Sequence, residues 1–314
     1  MLNFFIFKGK FIIFGNIQGA FHSLVRDLVQ LKTLGIIDTS LKIINPDYAI
    51  IFMGDIVSRS AFTMETLSLV MRLMQINPNN VFYLRGNHES ANYWQEHTLK
   101  TELQMRASHL DNATIPLADK VNAFFDTLPL AFYFSIPSET GKDFIRMSDA
   151  GLSQNPLLVE KNYAQFLTTQ TSSLPHQPGV SVSYCNVKDG AVIFGDTAVA
   201  NVSNTLPVNV RIIFKGEKKR EVYQPTEGLR LLPPDMGSIA WNILSCPTVV
   251  YQKALKFFYD AFIVLAPATR IDGWKITLYN RDVRTQGQFK TTEYPLLPGA
   301  ETVAIQAPDY EKKL

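Results

Sequence analysis

Val81-Phe82-Tyr83-Leu84-Arg85-Gly86-Asn87-His88-Glu89 is a short apolar run of strand-forming residues that breaks at a glycine and continues as Asn-His-Glu. It reads as a strand ending in a polar turn, the place where α/β sheets carry their chemistry. The same pattern occurs twice upstream. Phe11-Ile12-Ile13-Phe14 is a buried-strand run closed by Gly15-Asn16-Ile17-Gln18-Gly19, and residues 21–34 then repeat apolar positions at helical spacing. Residues 48–53 give a second strand and Gly54-Asp55-Ile56-Val57-Ser58-Arg59 its turn. The helix that follows spans 63–74, with Leu67, Val70, Met71 and Met74 on one face. Three such strand-turn units place their turns along one edge of a sheet.

Beyond Glu89 the pattern is mainly helical to residue 110. A further helix at 118–128 is stopped by Pro129. Strands then dominate: 131–135 and 144–148, expected to pair across the turn at 139–142, then 191–194, 208–214, 221–223, 239–244, 261–265 and 274–279. One helix is expected around 251–258. The reading is one α/β domain over 1–286 with an insertion at 201–235. Residues 287–314 form a weakly patterned tail that wraps the surface or is partly mobile.

Composition excludes several classes. With 46% hydrophobic and 18% charged residues in 314, the chain can bury an ample core. A net charge of +2, with both signs mixed throughout, argues against a nucleic-acid partner. Lys215 to Arg220 reads as a solvated hairpin turn. Two distant cysteines, Cys185 and Cys246, supply neither a disulfide framework nor a cysteine zinc site, which points to a reducing, cytoplasmic setting. No apolar stretch reaches the ~20 residues of a membrane span. The apolar N-terminal segment, residues 2–7, lacks a basic region before it and reads as a strand.

The ordered motifs resemble those of the PPP-type serine/threonine phosphatases within the calcineurin-like metallophosphoesterases. Members of that family read Gly-Asp-x-His-Gly, Gly-Asp-x-x-Asp-Arg-Gly, Arg-Gly-Asn-His-Glu, His-Gly-Gly-Leu-Ser and a Gly-His-Thr-like turn. The counterparts here are Gly15-Asn16-Ile17-Gln18-Gly19, Gly54-Asp55-Ile56-Val57-Ser58-Arg59-Ser60, Arg85 to Glu89, Asp149-Ala150-Gly151-Leu152-Ser153 and Gly195-Asp196-Thr197. Phe124 to Ala131 is similar to the family's helix-to-strand link, and Ser245-Cys246-Pro247-Thr248 to a loop near its active site. Five motifs in order imply the family's four-layer α/β sandwich with mixed central sheets.

The resemblance implies an active centre with two metal ions, and here its ligands are degraded. Asp55 and Asn87 are kept, while Asn16, Gln18, Asp149 and Asp196 stand where the family has one carboxylate and three imidazoles. An all-oxygen set suits a single Mg²⁺, Mn²⁺ or Ca²⁺ better than a zinc or iron pair. The other reading is a pocket without metal whose polar residues hydrogen-bond each other. His88 matches the family's general acid, with Ser58 in place of the carboxylate that orients it. Arg59 matches a phosphate-binding arginine, and Asn87 would share that phosphate. A second phosphate arginine has no counterpart, since none occurs between Arg146 and Arg211.

Two functions follow from the resemblance. One is a catalytically impaired pseudophosphatase that binds a protein partner, such as a phosphoprotein. The alternative is a phosphoprotein phosphatase using one hard cation. Phe257 to Phe262, with Thr277 to Asn280, also resembles the end of Wip-type phosphatases that intracellular bacteria secrete, which implies an effector delivered into a host cell.

Overall fold

A computed structural model describes residues 9–107, 114–129, 131–136, 143–149, 209–216, 227–231, 239–247, 257–285 and 287–298. Strand β1 (Lys10–Phe14) leads into helix α1 (Phe21–Thr33), β2 (Tyr48–Phe52) into α2 (Thr63–Ile76), and β3 (Val81–Tyr83) into a 3-10 turn at Asn87–Glu89. Helices α3 (Ala91–Trp94), α4 (Thr98–Ala107) and α5 (Thr114–Thr127) follow, then β4 (Phe132–Ser135) and β5 (Asp143–Ser148). The remaining strands are β6 (Asn209–Lys215), β7 (Leu229–Leu231), β8 (Ile239–Ile243), β9 (Tyr259–Ala266), β10 (Lys275–Asp282) and β11 (Lys290–Pro295).

Two mixed sheets result. One has the order β11-β10-β9-β1-β2-β3, the other β4-β5-β6-β8-β7. In the first, β1, β2 and β3 run parallel and β9 joins β1 antiparallel. In the second, β5, β6 and β8 run parallel, with β4 and β7 as antiparallel edges. Alternation along β1 explains the layering. Phe11 and Ile13 enter a core with Ile145, Met147, Ile212, Phe214 and Trp241 of the other sheet. Ile12 and Phe14 enter a second core with Leu24 and Leu28 of α1, Val70 of α2 and Phe125 of α5. Burial on both faces is why these strands are continuous apolar runs. Trp94, Trp241 and Trp274 are all core residues, as their sequence context suggests.

The three strand-turn-helix units and the antiparallel β4-β5 pair lie where the sequence places them, while the turn expected at 139–142 lies outside the described residues. Four details differ. On α2 the buried stripe is Thr63, Thr66, Leu67, Val70 and Leu73, while Met71 faces outward. That stripe steps by three and four residues, and the helix phase favours Leu73 over Met71. Residues 209–215 form the strand expected at 208–214, but as β6 in the middle of the second sheet rather than in an insertion, because Ile212, Ile213 and Phe214 bury both faces. β7 is a three-residue edge strand, too short to show alternation. Residues 290–295, read as tail, form an edge strand along β10; their exposed side chains leave backbone pairing as the main constraint. The strands expected at 2–7, 191–194 and 221–223, and the helix expected at 251–258 up to residue 256, lie outside the described residues. Among the described residues no helix is long and apolar enough to cross a membrane.

Candidate functional site

The turns after β1, β2 and β3 meet at the carboxyl end of the parallel strands, and the exits of β5 and β8 reach the same place. An isolated parallel bridge joins Asn16 to Leu244, and the Gly15 N–H donates to Ser245 Oγ at 2.8 Å, which ties the two sheets together beside the site. The turns touch backbone to backbone: a Cβ on Gly54 would fall 2.5 Å from Gly86 N. Gly54 also has φ +103°, so no other residue fits this crossing. Gln18, Asp55, Ser58 and Arg59 are non-glycine residues held at positive φ in the first two turns. Such clustering of sparsely populated backbone conformations marks a site fixed by its surroundings.

Glu89 is the clamp that holds this backbone. Fully buried, it accepts the N–H groups of Asp55 and Gly86 at Oε2 (2.9 and 2.8 Å). Its Oε1 accepts Ile56 N–H at 2.9 Å, Val57 N–H at 3.4 Å and the Tyr83 hydroxyl at 2.7 Å. Burial pushes the Glu89 carboxyl upward, against the pull of Tyr83 and the backbone donors. The same burial, with Glu89 beside it, raises the Tyr83 hydroxyl well above its ordinary value.

Asp55 is the centre of the polar cluster. Its Oδ2 accepts Asn16 Nδ2 at 2.8 Å and its Oδ1 accepts the His88 backbone N–H at 2.9 Å. The Asn87 carboxamide lies 3.1 Å from both Asp55 oxygens, and with its nitrogen turned toward them it would donate to both. His88 Nε2 lies 3.4 Å from Asp55 Oδ2, and its Nδ1 lies 3.2 Å from the Val57 carbonyl, which can only accept; Nδ1 therefore carries a proton. Tyr93 stacks on the buried imidazole with ring centroids 4.1 Å apart. The backbone N–H of Asn87 donates to Asp149 Oδ2 at 3.3 Å.

Asn16, Asp55, Asn87, His88 and Asp149 are thus brought together, with Gln18 buried in the same turn. Asp196 lies outside the described residues. Arg59 donates through Nη2 to the Tyr93 hydroxyl at 3.1 Å, and its Nε is buried with no partner among the described residues. The Ser58 hydroxyl is likewise buried and unpartnered, so the Val57 carbonyl, rather than Ser58, orients His88. Cys246 donates from Sγ to the carbonyls of Ile17 and Asn16, at 2.7 and 3.2 Å. His22 packs edge-on against Phe62 and His97 against Tyr93, both away from Asp55. Sequence reasoning missed Tyr93, whose stacking has no motif, and the role of Glu89, although that residue sits inside the quoted stretch.

The donor set does not fit the two-metal centre the resemblance implies. The Asn16 amide nitrogen and the His88 backbone N–H face Asp55, where a bridging carboxylate would need to face cations. Among the described residues, no group of three or more His, Cys, Asp or Glu is arranged to hold a metal ion. A single hard cation would need the Asn16 amide turned, so that Asn16 and Asn87 both offer oxygen beside Asp55 and Asp149.

Comparison with known proteins places this geometry in a family. Residues 9–198 match the calcineurin-like phosphoesterases, and the chain belongs to that family. It is 33% identical over 124 residues to the Arabidopsis thaliana serine/threonine-protein phosphatase BSL2, covering 40% of this chain and 12% of that protein. It is 35% identical over 98 residues to the Caenorhabditis elegans serine/threonine-protein phosphatase 6 catalytic subunit, covering 31% of this chain and 26% of the relative. The chain therefore spans a minor part of these relatives. Its fold is similar to a Saccharomyces cerevisiae protein serine/threonine phosphatase with similarity to human phosphatase PP5. That likeness has a TM-score of 0.56 and 17% identity, covering 94% of this chain and 82% of that one. A cold-active protein-tyrosine phosphatase from Shewanella is also similar in fold, at TM-score 0.52 and 15% identity over 92% and 80% of the two chains.

Proposed function

We propose that this chain is a PPP-like pseudophosphatase that binds a protein partner at a remodelled active site. The observation that carries the reading is the Asp55 carboxylate, whose oxygens accept from the Asn16 amide and the His88 backbone instead of facing ions. Hydrolysis in this family depends on metals to activate water and neutralise phosphate, and His88 helps only after both are done. Here its ring is aimed at Asp55 and covered by Tyr93. A polypeptide partner follows from the relatives, which are protein phosphatases by name. Arg59 supplies a guanidinium fork suited to a phosphorylated side chain. The site of action is the cytoplasm, or a host cell if the Wip-like end belongs to a delivered effector.

The test is turnover of phosphoserine, phosphothreonine and phosphotyrosine peptides with Mg²⁺, Mn²⁺ or Ca²⁺ present. The expected rate is that of buffer, with peptide binding weakened by Arg59→Ala. Combining Asn16→Asp, Gln18→His, Asp149→His and Asp196→His should raise turnover. Hydrolysis by the natural sequence that Asp55→Asn or His88→Asn abolishes would overturn the reading. One observation favours the alternative of a phosphatase with a single hard cation: Asp55 and Asp149 both contact Asn87.

A further inference from the structure

The geometry points to Asn16 as a built-in replacement for a cation: its amide N–H, with the backbone N–H of His88, holds the Asp55 carboxylate so that the fold needs no ion at this crossing. The inference deepens the pseudophosphatase reading. It does not depend on absence of turnover, only on how Asp55 is held.

Asp55 is 3% exposed and stands where three turns touch, so a bare carboxylate there would be costly. Asn16 turns its amide nitrogen to Asp55, donating from Nδ2 to Oδ2 at 2.8 Å. The other end of the amide is confined too: Asn16 Oδ1 is buried with no partner among the described residues, and a Cβ on Gly216 would fall 2.2 Å from it. Asn16 is thus packed on its oxygen side and hydrogen-bonded on its nitrogen side. The His88 N–H takes Oδ1 at 2.9 Å, so donors approach the carboxylate from two separate turns, and the Asn87 carboxamide, 3.1 Å from both oxygens, can add to them with its nitrogen turned inward. Fixed N–H dipoles converging on one carboxylate stabilise its charge without an ion. A carboxylate at position 16 would instead put two like charges in hydrogen-bond range, which only a cation or a proton could relieve.

Thermal melting of the full chain at neutral pH tests this, in chelator and then with millimolar Mg²⁺ or Mn²⁺. The natural sequence should melt at the same temperature in both. Asn16→Asp should melt roughly 5–10 °C lower in chelator and recover with cation. The double variant Asn16→Asp/Asp55→Asn, which exchanges donor and acceptor, should regain most of the loss in chelator alone. That variant keeps the test decisive if the single one is recovered only with cation, which itself supports the inference. Asn16→Asp that is as stable as the natural sequence in chelator, or that no cation rescues, overturns it. So does a cation-induced rise in the natural sequence as large as that in Asn16→Asp, or an exchanged variant that stays as unstable as the single one. A phosphatase activity found in the natural sequence with chelator present would sink the pseudophosphatase reading and leave this inference standing.

Discussion

Glu89 and Asp55 are neighbouring buried carboxylates, each ringed by N–H donors, yet they are held by different kinds of group. Four of the Glu89 donors are backbone N–H groups, and only Tyr83 is a side chain. Asp55 accepts from the Asn16 side-chain amide and the His88 backbone N–H, with the His88 ring and the Asn87 carboxamide beside it. Backbone donors survive any substitution that keeps the turn, whereas side-chain donors can be rewritten one residue at a time. The clamp around Glu89 therefore preserves the shape of the site while the chemistry around Asp55 is free to change. A phosphatase scaffold can in this way keep its three turns in place after its ligands have been exchanged.

The comparison breaks most severely at Glu89. Glu89→Ala would leave four buried backbone N–H groups without acceptors, at a cost of at least about 3 kcal/mol. Denaturant unfolding should show this loss, and a cost below about 1 kcal/mol would mean the turns hold themselves. Tyr83→Phe removes one donor and leaves the other four, so a loss of about 1–2 kcal/mol is expected. If Tyr83→Phe cost as much as Glu89→Ala, the backbone donors would not be what secures the clamp.

Much of this was legible in the sequence. Buried strands that end at glycines, repeated three times, fix the parallel strands and bring Asn16, Asp55, Asn87 and His88 to one edge. Asp149 joins them from the other sheet through the motif order alone. The direction of the amides was not legible, because an asparagine offers oxygen and nitrogen from the same side chain. Only the neighbour decides, and Asp55 takes the nitrogen of Asn16. The reading of an all-oxygen ligand set assumed the opposite face. Nor could β11 be read, since Lys290 to Pro295 pairs through its backbone while its side chains stay largely exposed. Residues 201–235 looked like an insertion because the motif order skips them, although Ile212 to Phe214 hold the centre of a sheet.

A third carboxylate sharpens the contrast. Asp27 on α1 is 1% exposed, and neither of its oxygens has a hydrogen-bond partner among the described residues. Asp260 nearby takes the cations instead, accepting Arg26 Nε at 2.5 Å and lying 3.3 Å from Arg281 Nη1. Burial, and then the Asp260 charge, raise the Asp27 carboxyl well above its ordinary range, with Arg26 and Arg281 pulling weakly the other way. Because the folded value is the higher one, the folded state holds a proton that the unfolded chain releases near pH 3.9. The stability this proton contributes is fully present below that pH and is lost as pH rises toward the folded value. Asp27→Asn keeps the shape of the neutral acid and cannot titrate. Its unfolding free energy should match the natural sequence in acid and exceed it near neutral pH, by a gap that widens as pH rises. Denaturant unfolding at several pH values reads the gap directly. A gap that does not widen with pH would mean that Asp27 is ionised in the fold, and that a carboxylate can sit there without the donors that Asp55 and Glu89 require.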